Sequence, residues 1–97
     1  MAKRKRQRRT VYVGETRWKV QRGCRLRDAD GICDYATRTI KLRSGLVGLD
    51  LLDTILHELL HARWPDLSED AVAEFSETVS GFLYAEGFRQ GHDDEED

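Results

Sequence analysis

The sequence predicts an α+β fold: a small antiparallel β-sheet of about three strands packed on a two-helix unit that carries His57-Glu58-Leu59-Leu60-His61. Three observations lead there. Apolar and polar residues alternate between Thr10 and Arg43, they recur at spacings of three and four between Leu49 and Glu86, and Ser44-Gly45 separates the two regimes. A chain of 97 residues accommodates one domain, close to the size at which a single core is marginal and a bound metal is a useful addition. That domain is expected over residues 10–89, between a disordered basic arm (1–9) and a disordered acidic tail (90–97).

Thr10 to Arg22 reads as extended, because Tyr12, Trp18 and Val20 fall on even positions and Arg17, Lys19 and Gln21 on odd ones. Gly14 predicts a bend or bulge within it. Cys24 to Arg27 continues the alternation, and Asp28-Ala29-Asp30-Gly31 reads as a turn whose glycine supplies a positive φ. Ile32 to Tyr35 is then a strand, and Thr37 to Arg43 is the clearest one, with Ile40 and Leu42 inward.

The first helix is expected from Leu49 or Asp50 to about Arg63, with Asp50 as its cap and Asp53 in its first turn. Its leucines and isoleucine occupy so much of the circumference that it must be covered on two sides. At about 100° per residue, Leu52, Ile55, Leu56 and Leu59 share one side, while His57 and His61 lie roughly 140–180° away, facing a cleft. Pro65 disfavours helix at Trp64 and ends it. Ser68 caps a second helix that runs to about Ala85 or Glu86, with Val72, Phe75, Val79, Phe82 and Leu83 as its core face and Gly87 as its C-terminal cap. So short a link makes the two helices an antiparallel pair.

The net charge of −2 conceals opposed ends: residues 1–9 hold six of the 16 Lys and Arg, and residues 93–97 are all acidic. Such an arm can make weak nucleic-acid contact by releasing counterions, and it can equally be a solvated end. No aromatic residue interleaves with its charges. No run reaches the roughly 18 apolar residues of a membrane span, and no apolar stretch follows the basic start as a secretory signal requires. A cytoplasmic protein is expected, with no membrane contact and with Cys24 and Cys33 as reduced thiols.

Two histidines four apart on a helix project from one face, so both imidazoles can hold one zinc ion while the glutamate between them poises a bound water. The alternative is an amphipathic helix whose His57, Glu58 and His61 merely face solvent. A catalytic zinc keeps three protein ligands, which leaves one to find. With the second helix phased by its expected core face, Glu69 lies roughly 80° from the centre of that face, and Asp70, Glu74 and Glu77 about 140–180° away. Glu69 is therefore the expected third ligand, with Glu74 in reserve. Glu58 is the expected general base, and Tyr35 or Tyr84 could stabilise an oxyanion. His92 has no partner at helical spacing.

The stretch Leu52 to Ala62, followed by Pro65-Asp66-Leu67-Ser68-Glu69-Asp70-Ala71-Val72, resembles small zinc metallopeptidases of phage and bacterial genomes. These are similar to minimal gluzincins and, more distantly, to the ImmA/IrrE and SprT-like peptidases. The resemblance covers residues 50–85 best and is compatible with residues 12–45. It implies a minimal zincin that binds Zn²⁺ through His57, His61 and, by the Glu-x-x-Val match, Glu69. It also implies Glu58 as the catalytic base and a protein or peptide substrate. The chain lacks the H-E-x-x-H-x-x-G-x-x-H extension, and hence the third histidine of metzincins. It is also too short for much of the lower subdomain that forms a substrate cleft. The rival expectation is a non-catalytic, zinc-stabilised regulatory or adaptor protein that binds protein or DNA. Oligomeric state is not legible.

Overall fold

The computed structural model describes residues 8–89. The expected disorder of the arm and tail falls outside them, except that Arg8 and Arg9 belong to the first strand. The elements run β1 (Arg8–Val13), β2 (Thr16–Cys24), β3 (Gly31–Asp34), β4 (Thr39–Arg43), α1 (Gly48–Arg63) and α2 (Glu69–Ala85). The class is α+β as expected, but the sheet has four strands in the order β1-β2-β4-β3 and is mixed, because β2 and β4 run parallel.

The extra strand comes from Gly14. At φ +64° it occupies the first central position of a tight turn that pairs Val13 with Thr16, the place where a type II′ hairpin needs a glycine. The stretch expected as one bent strand is therefore a hairpin. At the other edge Asp34 closes the β3–β4 turn, its Oδ1 accepting from the N–H groups of Ala36 (3.1 Å) and Thr37 (3.3 Å). An irregularity between Gln21 and Cys24 ends the regular β2–β4 pairing.

One face of the sheet packs on α1. Trp18, Ile40, Leu42, Leu46 and Leu51 form the buried core, with Val11, Val13, Val20, Ile55 and Leu59 packed around it. Burying a side chain of this size removes it from water at a gain of about 1.5–3 kcal/mol each, so this cluster is what joins helix to sheet. The exposed Arg43–Asp30 ion pair at 2.9 Å adds at most ~1 kcal/mol.

α1 lies between the sheet and α2, as the width of its apolar stripe requires. Its N-cap is Val47, which makes no side-chain cap, and Asp50 sits in the first turn instead of capping. α2 begins as expected: Ser68 Oγ accepts from Ala71 N–H at 3.1 Å. It ends in paired bonds from Phe88 N–H to Leu83 O and from Gly87 N–H to Tyr84 O, the Schellman arrangement.

The expected core face of α2 is corrected. Phe75 and Phe82 are 54% and 64% exposed, whereas Val72, Ser76 and Ser80 are fully buried against α1. The two serines are small enough to let the helices approach, and they satisfy their hydroxyls locally. Ser76 Oγ donates to Ala73 O, while Ser80 Oγ contacts both Glu77 O and Asp53 Oδ1. With the half-buried Val79 and Leu83 counted in this face, the helix is turned by about 50° from the expected phase at 100° per residue, which carries Glu69 to within roughly 35° of the centre of the buried face.

Candidate metal centre

α1 presents His57, Glu58 and His61 at the open edge of the sheet, beside β3. The first turn of α2 lies against the last turns of α1, so Glu69 reaches both imidazoles: its Oε2 is 2.9 Å from His57 Nε2 and its Oε1 is 2.9 Å from His61 Nε2. The rings lie edge to face, with centroids 4.9 Å apart. Their ligand atoms and that of Glu69 all fall within 4.8 Å of one another, a group able to hold a metal ion.

This donor set fits zinc. Two imidazole nitrogens and a carboxylate oxygen are ordinary zinc ligands, and at bond lengths of 2.0–2.2 Å neighbouring atoms of a tetrahedral site stand about 3.4 Å apart. The 2.9 Å contacts would lengthen and the wider separations, up to 4.8 Å, would shorten to receive the ion, shifts that side-chain rotation can supply. Glu69 is solvent-facing on its outer side while the histidines are largely covered, with side-chain exposures of 68%, 19% and 18%. The group is therefore open on one flank.

Glu58 is 7% exposed. Burial pushes its carboxyl above the ordinary value, the adjacent His57 and His61 oppose that shift, and Glu69 reinforces it. The cause of the burial is Gly31, the first residue of β3. A Cβ there would stand 2.9 Å from Glu58 Cγ, 2.9 Å from Thr54 Cγ2 and 3.0 Å from Glu58 Oε2. Gly31 was expected to supply a positive φ to a turn, yet it does not adopt one and instead lets the edge strand close over Glu58. Sequence reading missed this role, since only the partner across the gap reveals it.

A cleft of about 500 Å³ runs over these residues between β3 and the two helices, with Ile32, Cys33 and Tyr35 on its strand side. Tyr35 Oη donates to His61 O at 3.0 Å. Partial burial and a hydrogen bond with Cys33 push its hydroxyl up to about 12, so it stays a donor across the physiological range. Burial also pushes the Cys33 thiol up. Of the two tyrosines considered as oxyanion donors, Tyr35 lies at the cleft and Tyr84 does not: it stacks under the Arg89 guanidinium at 4.2 Å, at the far end of α2. Glu74, the reserve ligand, is exposed and belongs to no metal-binding group among the described residues. Both cysteines are free, Cys24 buried and Cys33 partly so.

Gly31→Ala is expected to destabilise the fold by about 1–3 kcal/mol, because the added Cβ would overpack against Glu58 and Thr54. Denaturant unfolding of the variant and the wild type checks it. Equal stabilities would show that β3 yields without disturbing Glu58.

The chain matches no protein-family model, no curated protein and no solved structure. Among the described residues no helix is long and apolar enough to cross a membrane.

Proposed function

We propose that this protein is a cytoplasmic, zinc-dependent metallopeptidase of the minimal zincin kind, with protein or peptide substrates. The observation that carries the reading is the convergence of His57, His61 and Glu69 on one point beside the buried carboxylate of Glu58. On a merely solvated amphipathic face the imidazoles would stand in water, whereas His57 and His61 are 19% and 18% exposed and both contact an acid from the next helix.

A zinc ion held there would supply Lewis acidity toward a scissile carbonyl and lower the pKa of a water toward neutrality. The protein's own groups do the rest. His57, His61 and Glu69 would hold the ion, and the open flank beside Glu69 leaves room for substrate. Glu58 takes the proton of the attacking water and returns it to the leaving amine, a task that suits a carboxyl raised by desolvation. Tyr35 holds the carbonyl of His61 and thereby fixes the last turn of α1, which positions that ligand. β3 is an edge strand, and Ile32 and Cys33 on it line the cleft. Its outer backbone groups suit an extended peptide, which would add to the sheet as a further strand.

The test is metal content followed by digestion of a mixed peptide library read by mass spectrometry. One zinc per chain is expected, with cleavage lost on chelation and restored by added zinc. A filled site with no cleavage anywhere in the library would sink the enzyme reading in favour of the zinc-stabilised regulatory or adaptor protein.

A further inference from the structure

The face of the sheet turned away from α1 carries a cluster of cations that the metal centre does not use. Side chains alternate along a strand, and directly paired residues share a face. Arg8, Thr10 and Tyr12 of β1 therefore stand on one face with their partners Gln21, Lys19 and Arg17 of β2. Lys41 of β4 joins them through its pairing with Gln21. Lys19 is the centre: Arg8 and Lys41 are its diagonal neighbours and Arg17 lies two positions along its own strand, each about 7–8 Å away. Arg8, Arg17 and Lys19 are exposed and Lys41 is half-buried.

Acids are scarce on this face. Asp34 is a full strand further from Lys19 and spends its Oδ1 on the turn amides, and Glu15 lies in the β1–β2 turn. Among the described residues none of the four cations has an ion-pair partner. A solvated sheet face ordinarily mixes signs, and this chain, at net −2, has more acids than bases to mix with. Like charges at these separations repel one another, so the arrangement costs stability unless a polyanion relieves it.

Tyr12 lies directly beside Arg17 and is 67% exposed. A flat aromatic ring framed by cations offers both a stacking surface for a base and charges for the phosphates on either side. In the sequence Lys3 to Arg6 precede Gln7 and Arg8, so the basic composition extends N-terminal to Arg8.

We propose that the outer sheet face, centred on Lys19 and Tyr12, binds single-stranded nucleic acid. The contact is with phosphates through Arg8, Arg17, Lys19 and Lys41 and with a base through Tyr12. It lies on the opposite side of the sheet from α1 and is independent of the metallopeptidase reading.

The test is fluorescence anisotropy of a labelled dT 20-mer, and of a 20-base-pair duplex, titrated with the full chain at 50–200 mM salt. Combined Arg17→Ala, Lys19→Ala and Lys41→Ala is expected to weaken dT binding at least about tenfold at 50 mM salt and to flatten the log–log salt slope by about 2. Tyr12→Ala is expected to weaken it about 5- to 100-fold with the slope unchanged, since stacking releases no counterions. Serine at Lys3, Lys5, Arg4 and Arg6 in the full chain is expected to reduce affinity but leave the Tyr12 effect intact. These substitutions are remote from His57, His61 and Glu69, and an unchanged circular dichroism spectrum and thermal melt report that the fold is kept. Binding that the triple variant leaves untouched, or that vanishes with the arm charges alone, would place the contact in the arm and overturn the proposal. A duplex bound more tightly than dT, with Tyr12→Ala neutral, would overturn the single-strand assignment.

Discussion

Glu58→Gln is expected to hold zinc as the wild type does, to melt within a few degrees of it, and to cleave peptides at least about 10³-fold more slowly. The amide has the shape of the carboxyl and fits the same space beneath Gly31, where an added Cβ would already be 2.9 Å from the side chain. Its burial makes the comparison clean. A buried carboxylate pays for desolvation and a neutral amide pays less, so the substitution gives the fold no reason to fail. What it removes is the ability to accept a proton. Parallel measurements of zinc content, thermal melting and library cleavage separate these effects. A variant that cleaves at the wild-type rate would mean that Glu58 is a packing residue and that any base lies elsewhere.

Much of this centre was legible because it is local. His57, Glu58 and His61 share a turn of one helix, and helical geometry alone sets their relation. Ser68, Pro65 and Gly87 punctuate the helices through backbone chemistry that needs no tertiary context, and both helices accordingly run close to the expected bounds. The sheet was less legible. A glycine inside an alternating run is compatible with a bulge or a reversal, and at Gly14 the choice rests on whether the flanking residues pair with each other, which they do from Arg8–Gln21 to Val13–Thr16. The parallel pairing of β2 with β4 is a product of how the chain crosses over, and no local signal encodes it.

The phase of α2 shows the limit most clearly. Hydrophobicity placed Phe75 and Phe82 inside, and the helix pair instead selects residues small enough for close approach, so that Ser76 and Ser80 are buried and the aromatics are not. Glu69 still lies against both imidazoles because Val72 and Leu83 belong to both the expected and the observed faces, and the roughly 50° correction moved it toward α1. The expectation drawn from the Glu-x-x-Val stretch selects the same residue, although no family model matches the chain. Neither source could find Gly31, whose importance appears only when β3 is seen against α1.

Glu69→Ala is expected to lose zinc to a mild chelator that leaves the wild-type and Glu74→Ala proteins loaded. In the folded chain Glu69 touches both imidazoles at 2.9 Å, whereas Glu74 faces solvent on the far side of the same helix. Removing a carboxylate ligand leaves two histidines, and the ion loses an anionic donor that water replaces poorly. The consequence for stability follows by mass action. Free zinc at about 100 times its dissociation constant adds about 2.7 kcal/mol to the native state. A domain of this size gains roughly 4–8 °C per kcal/mol, so saturating zinc should raise the wild-type Tm by about 10–20 °C and that of Glu69→Ala far less. Without metal the wild-type and Glu69→Ala curves should nearly coincide, because an exposed carboxylate contributes little to the fold by itself. Melting all three proteins with and without zinc therefore distinguishes a ligand from a surface acid. Equal zinc-induced shifts in Glu69→Ala and Glu74→Ala would remove Glu69 from the ligand set.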